Sequence, residues 1–131
     1  MSFRPVSLLP LIRIGLMDKV HRDAVHEEEW VANVYGGRRT AASGSGTKDK
    51  ADVHTEDEIF EVKYTEKKSF TLRLVDLITL QQYGYLKDKS PVFHVAFSDP
   101  QLGVRRFVVI PEDEYRHQRS WIESAKIEMN M

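Results

Sequence analysis

The chain has 131 residues, 30% charged and 41% hydrophobic, with a net charge of −1. That is enough for one domain with a real core, which excludes a disordered protein and a pair of full-sized domains. Cysteine is absent, which excludes disulfides and thiolate zinc sites and suits a reducing cytoplasm. The near-neutral balance leaves any contact with nucleic acid to local clusters of lysine and arginine.

The opening run MSFRPVSLLPLIRIGLM, residues 1–17, is apolar but broken by Pro10 and Arg13. It is too short to span a bilayer and lacks a small-residue cleavage site. It reads as an N-terminal arm that packs on its own domain or on a second subunit, in a protein with no membrane partner. From Lys19 to Tyr35, the residues Val20, Ala24, Val31, Val34 and Tyr35 recur at helical spacing. Asp18 suits the cap and Gly36-Gly37 the stop. With Val31 central on the apolar face, Glu27 and Glu28 flank that centre and Glu29 points away. At least one of the first two should therefore face the sheet.

RRTAASGSGTKDK is too polar for the core and reads as a surface loop. Its small residues would let a phosphate approach backbone N–H groups. Residues 51–55 read as a short strand and 58–65 as a second, with Phe60, Val62 and Tyr64 on one face and Ile59, Glu61 and Lys63 on the other. Ser69–Arg73 reads as a third strand and VDLITLQQYGYL as a helix. PVFHVAF reads as a strand covered on both faces and VRRFVVI as a further strand. Pro111 opens a last helix with Glu112, Asp113 and Glu114 against its dipole. The order gives a mixed α/β domain with helices on both sides of a central sheet.

Glu61 and Lys63 are two apart on a strand and leave the same face. If the preceding turn falls at residues 55–58, Asp52 sits near Glu61. Two carboxylates beside an ammonium make sense as a Mg²⁺ site, because magnesium takes hard oxygen ligands and keeps waters for hydrolysis. Lys63 would orient that water or stabilise charge on a phosphate. His54 could share the face of Asp52 and reads as a structural neighbour.

A glutamate on a first helix, a Gly-Ser-Gly loop, an aspartate and then Glu-x-Lys resembles the PD-(D/E)XK nuclease superfamily. Within it, GGRRTAASGSGTKDKADV and EVKYTEKKSFTL are most similar to the Holliday-junction resolvases of archaea and phages, over residues 24 to 110. The resemblance implies a restriction-endonuclease-like core of αβββαβ order, with a central mixed sheet flanked by helices. It implies a Mg²⁺-dependent endonuclease, Mn²⁺ substituting, that hydrolyses phosphodiester bonds in branched DNA as a homodimer. Asp52 and Glu61 match the metal-binding acids, Lys63 the catalytic lysine, and Val62 the residue whose carbonyl meets the metal. Glu28 best matches the helix acid by its distance to Gly36-Gly37, with Glu27 the close competitor. Ser43, Gly44, Ser45 and Gly46 match the loop that touches the scissile strand. Ala51 stands where the family carries a proline, a backbone residue rather than a ligand.

Arg38, Arg39, Lys48 and Lys50 surround that loop, and Lys67, Lys68, Arg73, Arg105 and Arg106 lie further along. Together they could form a local phosphate-binding surface with salt-sensitive affinity. Three other readings compete: a nuclease for duplex or nicked DNA, a non-catalytic DNA-binding module of the same fold, and a solvated edge strand with ordinary surface charges.

Overall fold

A computed structural model describes residues 23–40 and 51–130. The N-terminal arm and the Ser43–Gly46 loop with Lys48 and Lys50 lie outside the described residues. The elements run α1 (23–35), β1 (Arg38–Arg39), β2 (Val53–His54), β3 (Glu58–Thr65), α2 (Leu74–Lys87), β4 (Ser90–Asp99), β5 (Gly103–Val109) and α3 (Glu112–Met129). The fold is α/β: among the described residues, one five-stranded mixed sheet in the order β1-β2-β3-β4-β5, with three helices. Only β3 and β4 run parallel; the other three pairs are antiparallel. A parallel pair needs a long crossover, and α2 supplies it.

The two sides of the sheet carry separate apolar clusters. Val31 and Ala32 of α1 pack with Val53, Phe60, Val62 and Val92 on one face. Leu80 of α2 packs with Ile59, Phe93 and Val95 on the other. The alternation of β3 divides its side chains between these faces, and β4 is buried on both from Pro91 to Ala96. Gly36, at φ 73°, ends α1 in the left-handed region. Among the described residues no helix is long and apolar enough to cross a membrane.

Two expected strands differ. Residues 69–73 form no strand. The segment leaves β3, whose edges are already taken by β2 and β4, and it must cross the sheet face to start α2; Phe70 packs there against Phe93, ring centroids 6.2 Å apart. Instead Arg38–Arg39, expected within a loop, pair with Val53 and His54 to form the first strand. The second strand is also shorter than 51–55. The Asp52 Oδ2 accepts a hydrogen bond from the Val62 N–H at 2.8 Å, so a side chain takes a donor that a longer ladder would claim.

Gly84 marks a close approach between α2 and the start of β4. A Cβ there would lie 2.6 Å from the Lys89 carbonyl oxygen and 3.3 Å from Ile59 Cδ1. The Lys89 N–H also donates to the Gly84 carbonyl at 2.8 Å. Alanine is the better helix former by about 1 kcal/mol, but backbone here must move to admit it. Overpacking of this kind costs about 1–3 kcal/mol. Gly84→Ala is expected to lower the urea midpoint of the protein, against the helix-propensity trend.

Candidate active site on the α2 face of the sheet

Glu61 and Lys63 leave β3 on the face that α2 covers. They stand beside Phe93 and Val95 of β4 in the parallel register. The Lys63 Nζ lies 3.2 Å from Glu61 Oε2, with 40% of the lysine side chain and 24% of the glutamate exposed. The antiparallel register pairs Val53 with Phe60 and His54 with Ile59, and Asp52, just before β2, lies near enough to Glu61 for its charge to bear on the Glu61 carboxyl. Asp52 is held there by its main chain and its side chain. Its N–H donates to the Phe60 carbonyl at 2.8 Å and its carbonyl accepts from the Thr40 N–H at 3.0 Å. Its Oδ2 accepts from the Val62 N–H at 2.8 Å.

The electrostatics of the pair are uneven. Burial pushes the Glu61 carboxyl above its ordinary value, the neighbouring Asp52 charge pushes it the same way, and Lys63 pulls back without cancelling them. Asp76, in the first turn of α2, adds to the negative potential at Glu61. Arg73 holds Asp76 through two hydrogen bonds of 3.1 and 3.2 Å. With Arg73 set against Asp76, the carboxylates of Asp52 and Glu61 share the single ammonium of Lys63. Among the described residues, however, no three histidine, aspartate or glutamate side chains come together in a metal-holding group.

The two helix acids are held by different partners. Glu28 is paired with Arg39, Oε1 to Nε 2.9 Å, and Arg39 shares the α1 face with its cross-strand partner Val53. Glu28 thus stands across the sheet from Glu61 and Lys63. Glu27 is the acid that faces the core, 4% exposed. Arg106 grips it with bonds of 2.6 and 3.0 Å, and His94 Nε2 lies 2.8 Å from Oε2. The Arg106 guanidinium also stacks on Trp30, 3.6 Å from the ring centroid. Burial alone would raise the Glu27 carboxyl, but the hydrogen bonds from His94 and Arg106, with the Arg106 charge, hold it below the usual carboxylate range. With the hydrogen on Nε2 donated to Glu27, His94 Nδ1 is left buried without a partner.

Sequence reasoning missed this buried cluster and placed Arg106 on the basic surface. One signal was present: a histidine inside the apolar run PVFHVAF must find a polar partner when both strand faces are covered. Of the other basic residues, Arg38 shares the face of its pair-mate His54 and is exposed. His54 itself meets the edge of Tyr83 in α2, ring centroids 6.2 Å apart. Lys67 and Lys68 are exposed in the turn after β3, and Arg105 is exposed on β5. No protein-family model matches the chain, and no curated protein matches it either.

Proposed function

We propose that the chain is a Mg²⁺-dependent endonuclease of the PD-(D/E)XK kind, with a restriction-endonuclease-like core, that hydrolyses phosphodiester bonds in four-way DNA junctions. The observation that carries this reading is the meeting of Glu61 and Lys63, 3.2 Å apart, beside Asp52, whose charge bears on Glu61. Such an excess of carboxylate over ammonium, half shielded from water, fits a hard divalent cation. Magnesium is commonly held by only one or two carboxylates, with water and substrate phosphate completing its shell.

Asp52 and Glu61 would hold the ion, with the Val62 carbonyl as a further donor. Glu28, on the α1 side and paired with Arg39, is assigned to the shell of the ion by the family resemblance alone. When bound, the cation neutralises charge on the phosphodiester and activates the attacking water. Asp52 is oriented for this by the Val62 N–H. Lys63 donates to the phosphate oxygen as a point charge, or holds the attacking water in line. Arg38, Lys67 and Lys68 contact flanking phosphates. Arg39, Ser43, Gly44, Ser45, Gly46 and Lys48 are assigned to the DNA strand by the family resemblance.

The test is cleavage of a synthetic four-way junction beside a linear duplex of equal sequence. The junction should be cut with Mg²⁺ or Mn²⁺ and left intact with a chelator. Lys63→Ala should be slower by about 10²–10³-fold, the loss typical of one charge-stabilising donor. A Lys63→Ala variant that cuts as fast as wild type overturns the mechanism. Equal cutting of the duplex moves the substrate to ordinary DNA, and binding without cutting leaves a non-catalytic module.

A further inference from the structure

α2 is apolar on two sides. Leu77 and Leu80 turn to the sheet, while Leu74, Val75, Ile78, Tyr85 and Leu86 are 38–86% exposed. The spacing of these five sets them along one outer stripe of the helix. A helix apolar on both sides belongs in an interior. Beside the stripe the sheet itself is bare. α2 lies over β3 and β4, whereas Phe107 of β5, on the face of its pair-mate Val95, is 58% exposed. Between helix and strand lies a cavity of about 210 Å³, walled by Leu74, Leu77 and Ile78 and floored by Phe93, Val109 and Pro111. Ile78 and Gln81 carry it into a second cavity along the stripe. Gln81 and Pro111 carry it into a third, whose rim bears Asp88, Asp113 and Glu114. Glu112 in the same turn of α3 adds a further acid. Lys89 also lines that rim, but its Nζ donates to the Thr55 carbonyl at 2.7 Å. The groove is thus apolar along its length and acidic at one end.

We infer that residues 6–16 of this chain, VSLLPLIRIGL, fill the groove. The run supplies leucines and isoleucines for the floor and sets Arg13 among them. Residues 1–22 carry Arg4, Arg13, Lys19 and Arg22 against the single acid Asp18, which complements the acidic rim. The reach is sufficient. α1 begins on the other face of the sheet, but Glu27 and Arg106 tie it to β5, so the way round is past that outer strand. The 22 residues before α1 can span about 70 Å when extended. The covalent tether also holds the run at a millimolar local concentration, an advantage that a second copy or a separate protein lacks. The groove shares the face of Glu61 and Lys63, but the inference does not rest on the nuclease reading and its test needs no DNA.

Because the chain has no cysteine, Ser7→Cys in the full chain accepts a single nitroxide and leaves every apolar residue of the run in place. In an isotope-labelled chain that carries the nitroxide, the amide signals of Ile78, Tyr85 and Val109 should broaden. The signal of Arg39, at the far edge of the sheet, should not. A mixture of labelled chain without nitroxide and unlabelled chain with it should show no broadening. Leu74→Asp and Ile78→Asp, each adding a charge to the groove, should weaken docking about tenfold or more while the remaining amide signals stay in place. Leu74 is 71% exposed, so that variant keeps the test open if Ile78→Asp does not fold. Arg13→Glu should also weaken docking, and the loss should shrink at high salt. An unbroadened stripe in the full chain overturns the inference, as does broadening in the mixture, which would assign the groove to a second copy. So does broadening that survives Leu74→Asp, or an Arg13→Glu chain that docks as wild type does.

Discussion

Glu61→Gln is expected to abolish Mg²⁺-dependent cleavage and, in the absence of divalent cation, to melt above wild type. Both effects follow from the same charge. In the folded protein the Glu61 carboxyl is pushed up by burial and by Asp52, with Lys63 opposing. A carboxyl raised on folding binds its proton more tightly in the native state than in the unfolded chain. Its unfavourable contribution is therefore absent in acid and develops as pH rises through the ordinary glutamate value of about 4.3 toward the higher folded one. Glutamine lacks the charge that Asp52 and burial oppose. The variant should gain its advantage near neutral pH and lose it in acid. A bound cation reverses the ranking: ligand that binds only the native state adds about 2.7 kcal/mol at one hundred times its dissociation constant. Mn²⁺ titrated into wild type should raise the melting temperature, and the same titration of Glu61→Gln or Asp52→Asn should leave it in place. Were Glu61 an ordinary surface charge, the substitution would move neither the cation response nor the melting curve. Gains in stability on removal of an active-site charge are the expected signature of a site built for a ligand.

The parts of the fold that were legible in the sequence are those where one strand or helix face meets the core. The alternation of β3 gives the shared side of Glu61 and Lys63 directly, and the continuous apolar run of β4 announces a strand covered on both faces. β1 was illegible because two arginines carry no apolar pattern; they join the sheet through backbone pairing with Val53 and His54. Phe70 and Leu72 alternate as a strand would, yet the chain there crosses the sheet face to reach the parallel partner of β3. Which of Glu27 and Glu28 turns into the core was likewise beyond the helical period, since both flank the Val31 face. Glu27 is drawn in by His94 and Arg106, 67 and 79 residues further along the chain. Arg105 and Arg106 look equivalent in VRRFVVI, but adjacent strand residues point to opposite faces, and only Arg106 reaches α1.

Glu27→Ala should be among the most damaging single substitutions in the chain. The carboxylate is 4% exposed, and its removal leaves the Arg106 guanidinium and His94 Nε2 without their acceptor. Breaking a buried pair in this way costs about 3–5 kcal/mol, a large share of the roughly 5–15 kcal/mol that holds a domain together. The loss should appear as a lower urea midpoint with an unchanged slope. Arg106→Ala should cost less, because that side chain is 27% exposed, although it also gives up the stack on Trp30. The two substitutions should be far from additive: once one partner is gone the other has little left to lose, so the double variant should be more stable than the sum of the singles implies. The pH dependence carries the opposite sign from Glu61. Glu27 is held below the usual range by His94 and Arg106 against its burial. Its contribution is complete above the ordinary glutamate value and is lost as pH falls beneath it through the depressed folded one. Wild type should therefore weaken in acid more steeply than Glu27→Ala, and the gap between them should close. A gap that stays constant down to the lowest pH at which the protein folds would mean that the charge on Glu27 does not anchor α1 to β4 and β5.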